Sequence, residues 1–351
     1  MTDPLDLPGL GDWLAGLPGS GITGDGPLTL TRIGAGQSNL TYRATDGAGH
    51  SVVVRRPPLG HLTASAHDVL REGRIMAALA DTDVPVPTIH GATTLSDGGG
   101  GTGDGAGDVP VIAMSAVPGT SLNSREAAQR LTPDARRTAA DGLIDAMVAV
   151  HAVDLDETGL SDLASHKPYA PRQLRRWAGQ WEKTKTRELP ALDALTARLA
   201  DAVPEQTETV LVHGDLHLGN IIVDESTGRV NAVVDWELTT LGDPLADIGS
   251  LLSYWPTRQG PNLPGFDAAL ADGFPGPDEL ADRYLAATGR SRAALDFWHV
   301  LGLWKVAVIV EGVIRRVAET PENAAAAGAP VPETVDALIA GATRVADAAG
   351  L

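Results

Sequence analysis

The stretch that decides the fold is His213-Gly214-Asp215-Leu216-His217-Leu218-Gly219-Asn220, followed after a turn by Val233-Val234-Asp235-Trp236-Glu237. The apolar runs 221–223 and 230–234 predict a β-hairpin between these two motifs, turning at residues 225–228. Because a hairpin returns the chain toward its starting point, we expect Asn220 and Asp235 to come close together.

Asp215, Asn220 and Asp235 are the kinds of side chain that phosphoryl transfer from a nucleotide requires. One carboxylate orients or deprotonates the acceptor hydroxyl, and oxygen ligands hold Mg²⁺ against the phosphates. The spacing matches the kinase pattern H-R-D-L-x-x-x-N, with Asp-Trp-Glu standing where Asp-Phe-Gly would stand. A chance cluster of polar loop residues is the alternative, but the apolar runs on both sides follow the order that the kinase pattern predicts.

The same motif leaves a metal site open as a second chemical interpretation. His213, Asp215 and His217 alternate, and on a β-strand they would all lie on one face, where they could bind the metal of a hydrolase. Gly214 and Gly219 are more typical of a loop, which favours the first interpretation.

Upstream of this motif, the sequence predicts a small β-rich unit. Residues 28–33, 40–44 and 51–55 predict an antiparallel meander, 64–80 a helix, and 88–94 and 109–116 two further strands. The Gly-rich tract 96–108 has no apolar anchors and predicts a surface loop. After a short hinge at 115–118, helical patterns dominate the chain, apart from the hairpin. We therefore predict an α+β fold with two lobes, residues 1–117 and 118–351.

Composition excludes several classes of function. The chain of 351 residues has a net charge of −18, which argues against binding to nucleic acid and to anionic membranes. It has no cysteine, so disulfides and thiolate metal sites are excluded. Its N-terminal ten residues lack the pattern of a signal peptide, and we expect a cytoplasmic protein. The apolar run 297–314 contains His299, Lys305 and Glu311, which favours a buried helix over a membrane span.

The catalytic motif, together with Leu241-Gly242-Asp243-Pro244-Leu245-Ala246-Asp247, resembles the aminoglycoside phosphotransferase and choline kinase superfamily. The resemblance is strongest to the kinase-like domain attached to some acyl-CoA dehydrogenases, and it covers residues 28–316. It implies that Asp215 is the catalytic base, that Asn220 and Asp235 bind Mg²⁺, and that His213 braces the loop. Asp243 and Asp247 would be structural, capping the next helix and tying it to the catalytic loop.

The resemblance also implies a nucleotide site in the first lobe. The Gly-rich turn would cover the phosphates, and the hinge would bind the base through its backbone; these residues are Gly34, Gly36, Ser38, Asn39, Met114 and Ala116. A lysine normally contacts the phosphates, but this chain has no lysine before Lys167. Arg55 has the corresponding strand position, and Glu72 on the next helix is its expected partner. Solvation of Arg55 and Arg56 at a sheet edge is the alternative.

One segment is basic, although the chain as a whole is acidic. Residues 167–187 contain seven basic side chains and one acidic side chain, a net charge of +6. Arg172, Arg175 and Arg176 share a helical face near Trp177. With Glu237, they form the predicted acceptor site, and they favour an anionic acceptor such as a hydroxyacyl-CoA or a phosphorylated or carboxylated alcohol over a cationic aminoglycoside. A solvated basic face is the alternative.

The sequence thus predicts an ATP- and Mg²⁺-dependent phosphotransferase that acts on a hydroxyl of a small molecule. GTP is not excluded as the donor. Its binding partners would be the nucleotide and the acceptor. An inactive kinase-like nucleotide-binding module is the alternative, for which Arg55 and Asp-Trp-Glu are the argument.

Overall fold

The structure of the chain is a computed structural model, which describes residues 7–34, 39–58, 68–96, 108–258, 260, 263–320 and 329–351. Backbone contacts divide the chain into two compact units. The first runs to Pro118 and also includes the segment Val234–Glu237, and the second contains Gly119–Val233 and Leu238–Leu351. The division differs from the predicted one because Asp-Trp-Glu groups with the first unit.

The first unit is built on a five-stranded antiparallel sheet with the order β1-β2-β3-β5-β4. The first three strands form the predicted meander, whereas β5 pairs with β3 and leaves β4 at the edge. The elements are α1 (Leu10–Ala15), β1 (Thr29–Arg32), β2 (Leu40–Thr45), β3 (Ser51–Arg56), α2 (Val69–Ala78), β4 (Ile89–Ser96) and β5 (Asp108–Ser115).

The two faces of this sheet differ in what covers them. Val52, Val54 and Arg56 on β3 are buried, and the two valines belong to an apolar core with Leu10 and Leu14 of α1, a helix that the sequence analysis missed. On the other face α2 contacts β5 and β4. It begins at Val69, where Asp68 caps it, and the first part of the predicted helix lies outside the described residues.

The second unit is mainly helical, with two small sheets of order β6-β8-β9 and β10-β7. Its strands are β6 (Thr120–Ser121), β7 (Val210–Val212), β8 (Ile221–Val223), β9 (Val230–Val233) and β10 (Thr240–Gly242). Its helices are α3 (Arg125–Gln129), α4 (Pro133–His151), α5 (Tyr169–Thr184), α6 (Pro190–Asp201), α7 (Leu245–Tyr254), α8 (Pro277–Thr288), α9 (Arg292–Glu319) and α10 (Pro332–Ala349). The predicted hairpin is β8–β9, but it is not isolated, because β6 extends it.

Helix α9 is the centre of the second unit. By length and composition alone it could cross a membrane, yet most of its apolar window is buried against the rest of the unit. Trp298 and Trp304 are buried, as expected for core residues. Gly249 and Gly302 let α7 and α9 approach closely, since a Cβ at Gly249 would lie 2.5 Å from the backbone of Trp298.

Candidate active site

Arg55 joins two carboxylates within the first unit. Its Nε atom lies 2.8 Å from Oε2 of Glu72, the predicted partner on α2. Its terminal Nη2 donates a hydrogen bond of 2.5 Å to Oδ1 of Asp235. Burial acts to lower the pKa of Arg55, but the charges of Glu72 and Asp235 outweigh burial and raise it. Arg55 is thus a largely buried, ion-paired cation rather than a solvated edge charge.

At Glu72 the effect of burial on the pKa outweighs the effect of the neighbouring opposite charge. Burial raises the pKa of its carboxyl group, against the lowering effect of Arg55, and the nearby charge of Asp235 raises it further. The backbone N–H of Trp236 donates to the second carboxylate oxygen at 3.3 Å. Glu72 therefore connects α2 to the Asp-Trp-Glu segment as well as to β3.

The Asp-Trp-Glu segment is placed by its central tryptophan. Trp236 is fully buried and anchors its neighbours. Asp235 has φ of +69°, and it is the one non-glycine residue with positive φ among those the structure describes. Aspartate tolerates this conformation better than most residues, and such strain is found at functional sites. The side chain of Asp235 remains about one-third exposed despite its bond to Arg55.

Glu237, which we predicted to bind the acceptor, makes two contacts within the first unit. Its Oε2 atom accepts a hydrogen bond of 3.2 Å from the amide of Asn39, and lies 3.9 Å from Arg55. The reason is that the segment 234–237 belongs to the first unit. The role of Glu237 in binding the acceptor stays a prediction.

The other predicted nucleotide residues are only partly described. Gly34 has φ of +79°, as expected for a turn, while Gly36 and Ser38 lie outside the described residues. Met114 is buried in β5 between β3 and β4, and Ala116 comes directly after the end of that strand.

Asp247 holds the start of the catalytic loop in the second unit. Its two carboxylate oxygens accept hydrogen bonds of 2.8 Å from the backbone N–H groups of His213 and Gly214. His151 contacts the same carboxylate at 3.2 Å and bonds to Tyr284 at 2.8 Å. Burial acts to raise the pKa of Asp247, but the bonds from His151 and the loop hold it below its ordinary value.

Asp243 also makes a structural contact of the kind that we predicted. Oδ1 of Asp243 accepts a hydrogen bond of 2.9 Å from the backbone N–H of Leu245 at the start of α7. Gly214 has φ of +84°, and a Cβ there would lie 2.7 Å from the carbonyl oxygen of Leu238. Only glycine fits this bend in the loop.

Asp215 and Asn220 are brought together at the other end of the loop. Nδ2 of Asn220 donates to the carbonyl oxygen of Asp215 at 2.8 Å and lies 3.3 Å from Oδ2 of its carboxylate. Because the amide nitrogen makes these bonds, the amide oxygen is the atom that can bind a cation. In the hairpin that follows, Ile221 pairs with Val233, so its two ends are opposite each other.

His217 has its tautomer set by the same loop. Its Nδ1 accepts a hydrogen bond of 3.0 Å from the backbone N–H of Gly219, so the neutral ring carries its proton on Nε2. That Nε2 lies 3.7 Å from Oδ2 of Asp215. Phe266 packs against the ring, with the centroids 4.9 Å apart.

The metal-site interpretation of this loop does not fit the structure. His213 is fully buried, and its Nδ1 accepts from the backbone N–H of Asp215 at 3.3 Å. His213, Asp215 and His217 lie in a loop after β7 and not on one face of a strand. Among the described residues, no three His, Asp or Glu side chains are grouped so that they could hold a metal ion.

The three arginines of the predicted basic face have different surroundings in the structure. Arg172 donates a hydrogen bond of 3.0 Å to the carbonyl oxygen of Leu241 and lies over the ring of Tyr169, so it braces β10 against α5. Arg175 is exposed, and Arg176 stacks over Trp177 with its Cζ 5.3 Å from the ring centroid. Helical spacing does not reveal this contact of Arg172 with β10, and its role in binding the acceptor stays a prediction.

A pocket beside the catalytic loop is lined by a different face of α5. Tyr169, Gln173 and Trp177 form one wall, and α7 and α9 form the others. Of the predicted acceptor residues only Trp177 lines it, and its remaining lining residues are Gly214, Ala246, Asp247, Ser250, Trp298, Leu301, Gly302 and Lys305. Lys305 is the functional candidate that the sequence analysis missed; a single lysine within an apolar helix was the available signal.

Two predicted metal ligands, one in each unit, carry oxygen atoms of the kind that a hard divalent cation binds. Asp235 offers a partly exposed carboxylate, and Asn220 offers an amide oxygen, which are ligands that Mg²⁺ accepts. The model of the phosphotransferase enzyme family matches residues 29–298 of this chain.

The chain belongs to the phosphotransferase enzyme family.

Two relatives of this chain differ in how much of their own length it covers. It is 35% identical over 324 residues to acyl-CoA dehydrogenase family member 10 of Mus musculus, a match that covers 90% of this chain and 29% of the relative. The chain thus spans less than a third of that relative. It is 26% identical over 246 residues to viomycin phosphotransferase of Streptomyces vinaceus, covering 63% of this chain and 76% of that one.

A solved structure confirms the fold class of this chain. The crystal structure of a candidate aminoglycoside phosphotransferase from Ralstonia eutropha matches it with a TM-score of 0.73 and 27% identity, covering 97% of each chain. The predicted α+β, kinase-like fold and the predicted resemblance to the domain found with acyl-CoA dehydrogenases are both confirmed.

Proposed function

We propose that this phosphotransferase moves the γ-phosphate of ATP to a hydroxyl group of a small-molecule acceptor and that the reaction depends on Mg²⁺. The observation that carries the proposal is the geometry of the catalytic loop. Asp215 is partly exposed, is bonded by Asn220, and stands on a loop whose backbone is tied to buried Asp247. GTP would serve the same chemistry as donor.

In this proposal Asp215 accepts the proton of the acceptor hydroxyl. The hydroxyl oxygen bonds to the γ-phosphorus while the bond from that phosphorus to the bridging oxygen breaks, which yields the phosphorylated acceptor and ADP. His217 directs its Nε2–H toward the carboxylate of Asp215, with Nε2 3.7 Å from Oδ2. Rigid placement is the main contribution of the loop, since positioning accounts for much of the catalysis in phosphoryl transfer.

The first unit supplies the groups proposed to handle the nucleotide. Arg55 can offer a guanidinium group to the α- and β-phosphates while Glu72 orients it. Asp235 and Asn220 would hold Mg²⁺, which supplies neutralisation of charge on the phosphates when bound. Arg55 already bonds one oxygen of Asp235, which leaves the other for a cation.

An inactive nucleotide-binding module is the second candidate, and one contact favours it. The ion pair between Arg55 and Asp235 ties up a proposed metal ligand, so a strong pair would weaken binding of Mg²⁺. Against this candidate stands Asp215, because a binding module needs no base beside the metal ligands.

The substitution Asp215→Asn tests the proposal. We expect it to preserve affinity for Mg²⁺·AMP-PNP in calorimetry and to reduce kcat by about 10²-fold or more, since it removes the general base. A mass-spectrometric screen of metabolite extracts with ATP and Mg²⁺ would first identify a phosphorylated product. Asp145→Asn is the matched control, because Asp145 forms an exposed pair with Arg283. If the Asp215→Asn enzyme kept the wild-type kcat on that acceptor, the assignment of the base would be wrong.

A further inference from the structure

Two polar contacts to the carboxylate of Asp215 are made at the same oxygen. Nδ2 of Asn220 lies 3.3 Å from Oδ2, and Nε2 of His217 lies 3.7 Å from it. The side chain of Asp215 is 30% exposed. These contacts leave Oδ1 as the oxygen that an acceptor hydroxyl can approach, so the presentation of Oδ1 depends on what holds Oδ2.

The catalytic loop assigns a different task to each ring nitrogen of His217. Nδ1 accepts a hydrogen bond of 3.0 Å from the backbone N–H of Gly219, so the neutral ring carries its proton on Nε2, which faces Asp215. A Cβ at position 219 would lie 2.9 Å from Cε1 of His217, so glycine permits this close approach. Because neither nitrogen has a free lone pair, neutral His217 is not a second base.

The distance between His217 and Asp215 defines the kind of contact. At 3.7 Å it is longer than a direct hydrogen bond, so the N–H group acts as a dipole directed at the carboxylate. Hydrogen bonds at active sites often shorten when the substrate binds. An apolar ring would fill the same space, so packing alone gives no reason for an imidazole here, whereas the directed N–H does.

Two aromatic residues from a later part of the chain hold the ring of His217. Phe266 meets it edge-on, with the ring centroids 4.9 Å apart and the planes at 61°. Phe266 also stacks on Tyr254, the last residue of α7, with the centroids 4.4 Å apart and the planes at 11°. The backbone N–H of Phe266 donates to the carbonyl oxygen of Leu263 at 3.1 Å, which fixes the turn that carries the ring. His217 can therefore rotate only if it gives up its contact with Phe266.

We infer that His217 is a positioning residue for the proposed base and that Phe266 holds His217 in place. This inference rests on the proposed function and adds two residues to its site. Phe266 fixes the imidazole, the imidazole and Asn220 restrain Oδ2 of Asp215, and Oδ1 is presented to the acceptor hydroxyl. No proton passes through His217.

Four variants test this series of contacts. His217→Phe keeps an aromatic ring but removes both nitrogens, whereas His217→Gln keeps an N–H group that reaches toward Asp215. Phe266→Leu keeps an apolar side chain without the ring. Phe274→Leu is the matched control, because Phe274 is also half-buried and meets an aromatic ring edge-on, that of Trp255, with the centroids 6.0 Å apart.

Rates are measured with ATP, Mg²⁺ and the acceptor that the metabolite screen identifies. We expect His217→Phe to lower kcat by about tenfold and to change KM for ATP and for the acceptor by less than about twofold, since the loss falls on the base. Phe266→Leu should lower kcat by about threefold, with KM likewise unchanged. His217→Gln and Phe274→Leu should keep about half of the wild-type kcat or more.

Two further measurements separate positioning from general damage. In the His217→Phe background, Phe266→Leu should cause no additional loss of kcat, because Phe266 acts through the imidazole; independent structural effects would add. Long-range ¹H–¹⁵N spectra of the imidazoles, recorded in mildly alkaline solution, report the tautomer directly. The signal of His217 is the one that His217→Phe removes. It should show the proton on Nε2 in the wild type and in Phe274→Leu, and a mixture of tautomers in Phe266→Leu.

Three results would overturn the inference. The first is a wild-type kcat in His217→Phe, and the second is equal loss of kcat in Phe266→Leu and Phe274→Leu. The third is an unchanged Nε2–H tautomer in Phe266→Leu, which decides the point even if His217→Phe is unstable. If Asp215→Asn is inactive in any of these cases, the proposed function stands and the inference alone fails. A wild-type kcat in Asp215→Asn would instead show that the base of the proposed function is wrong.

Discussion

Replacing Asp247 with alanine should destabilise the second unit and loosen the catalytic loop. The carboxylate is buried and accepts two backbone hydrogen bonds of 2.8 Å, from His213 and Gly214. Leaving a buried donor without a partner costs about 1–3 kcal/mol, so the two amides together should cost about 2–6 kcal/mol. The loss of His151 as a partner adds to this cost. We therefore expect Asp247→Ala to lower the free energy of unfolding by about 4 kcal/mol.

Urea denaturation followed by tryptophan fluorescence measures this change. Asp243→Ala is the matched control, because Asp243 accepts one backbone amide at the start of α7 and should cost only about 1 kcal/mol. The pKa of Asp247 is lower in the folded protein than in the unfolded chain. Its stabilising effect is therefore present above the unfolded pKa, and is lost as the pH falls through the folded pKa.

The difference between wild type and Asp247→Ala should accordingly be large at neutral pH and smaller in acid, below the ordinary pKa of an aspartate. A destabilisation no larger than that of Asp243→Ala at neutral pH would refute the reasoning, because it would mean that the two loop amides find other partners. A difference that grows in acid would show that the pKa of Asp247 is raised by folding.

Two further substitutions test the remaining parts of the site. Asp235→Ala should abolish the dependence of nucleotide binding on Mg²⁺, because it removes the proposed carboxylate ligand; an unchanged Mg²⁺·ATP affinity in calorimetry would remove that role. Gly214→Ala should lower the free energy of unfolding by about 2 kcal/mol or more, since alanine is strained at positive φ and its Cβ would meet Leu238; a neutral effect in urea denaturation would show that the loop adapts.

In the second unit, local sequence patterns were sufficient to predict some helices and strands but not others. Helix α4, the hairpin β8–β9 and the buried tryptophans of α9 follow from apolar periodicity and turn residues, because each depends on neighbours in the chain. The strand β7 was missed, since its partner β10 lies far along the chain and three residues show no periodicity.

Residue order and spacing were enough to predict the kinase-like class of the fold and the catalytic loop. Asp215 and Asn220 are five residues apart on one loop, so their spacing already brings them together. Arg55 and Glu72 could also be paired from sequence, because strand alternation and the following helix leave few other arrangements.

Long-range packing, in contrast, determines which charged side chains line the pocket beside the catalytic loop. Arg172 looked like a substrate cation by helical spacing, but it bonds to the carbonyl of Leu241. Glu237 groups with Asn39 and Arg55, which are distant in sequence. Lys305 became a candidate only when α9 placed it against Trp177 of α5. The physical reason is that the partner of a charged side chain depends on contacts between distant segments, which periodicity along one helix does not encode.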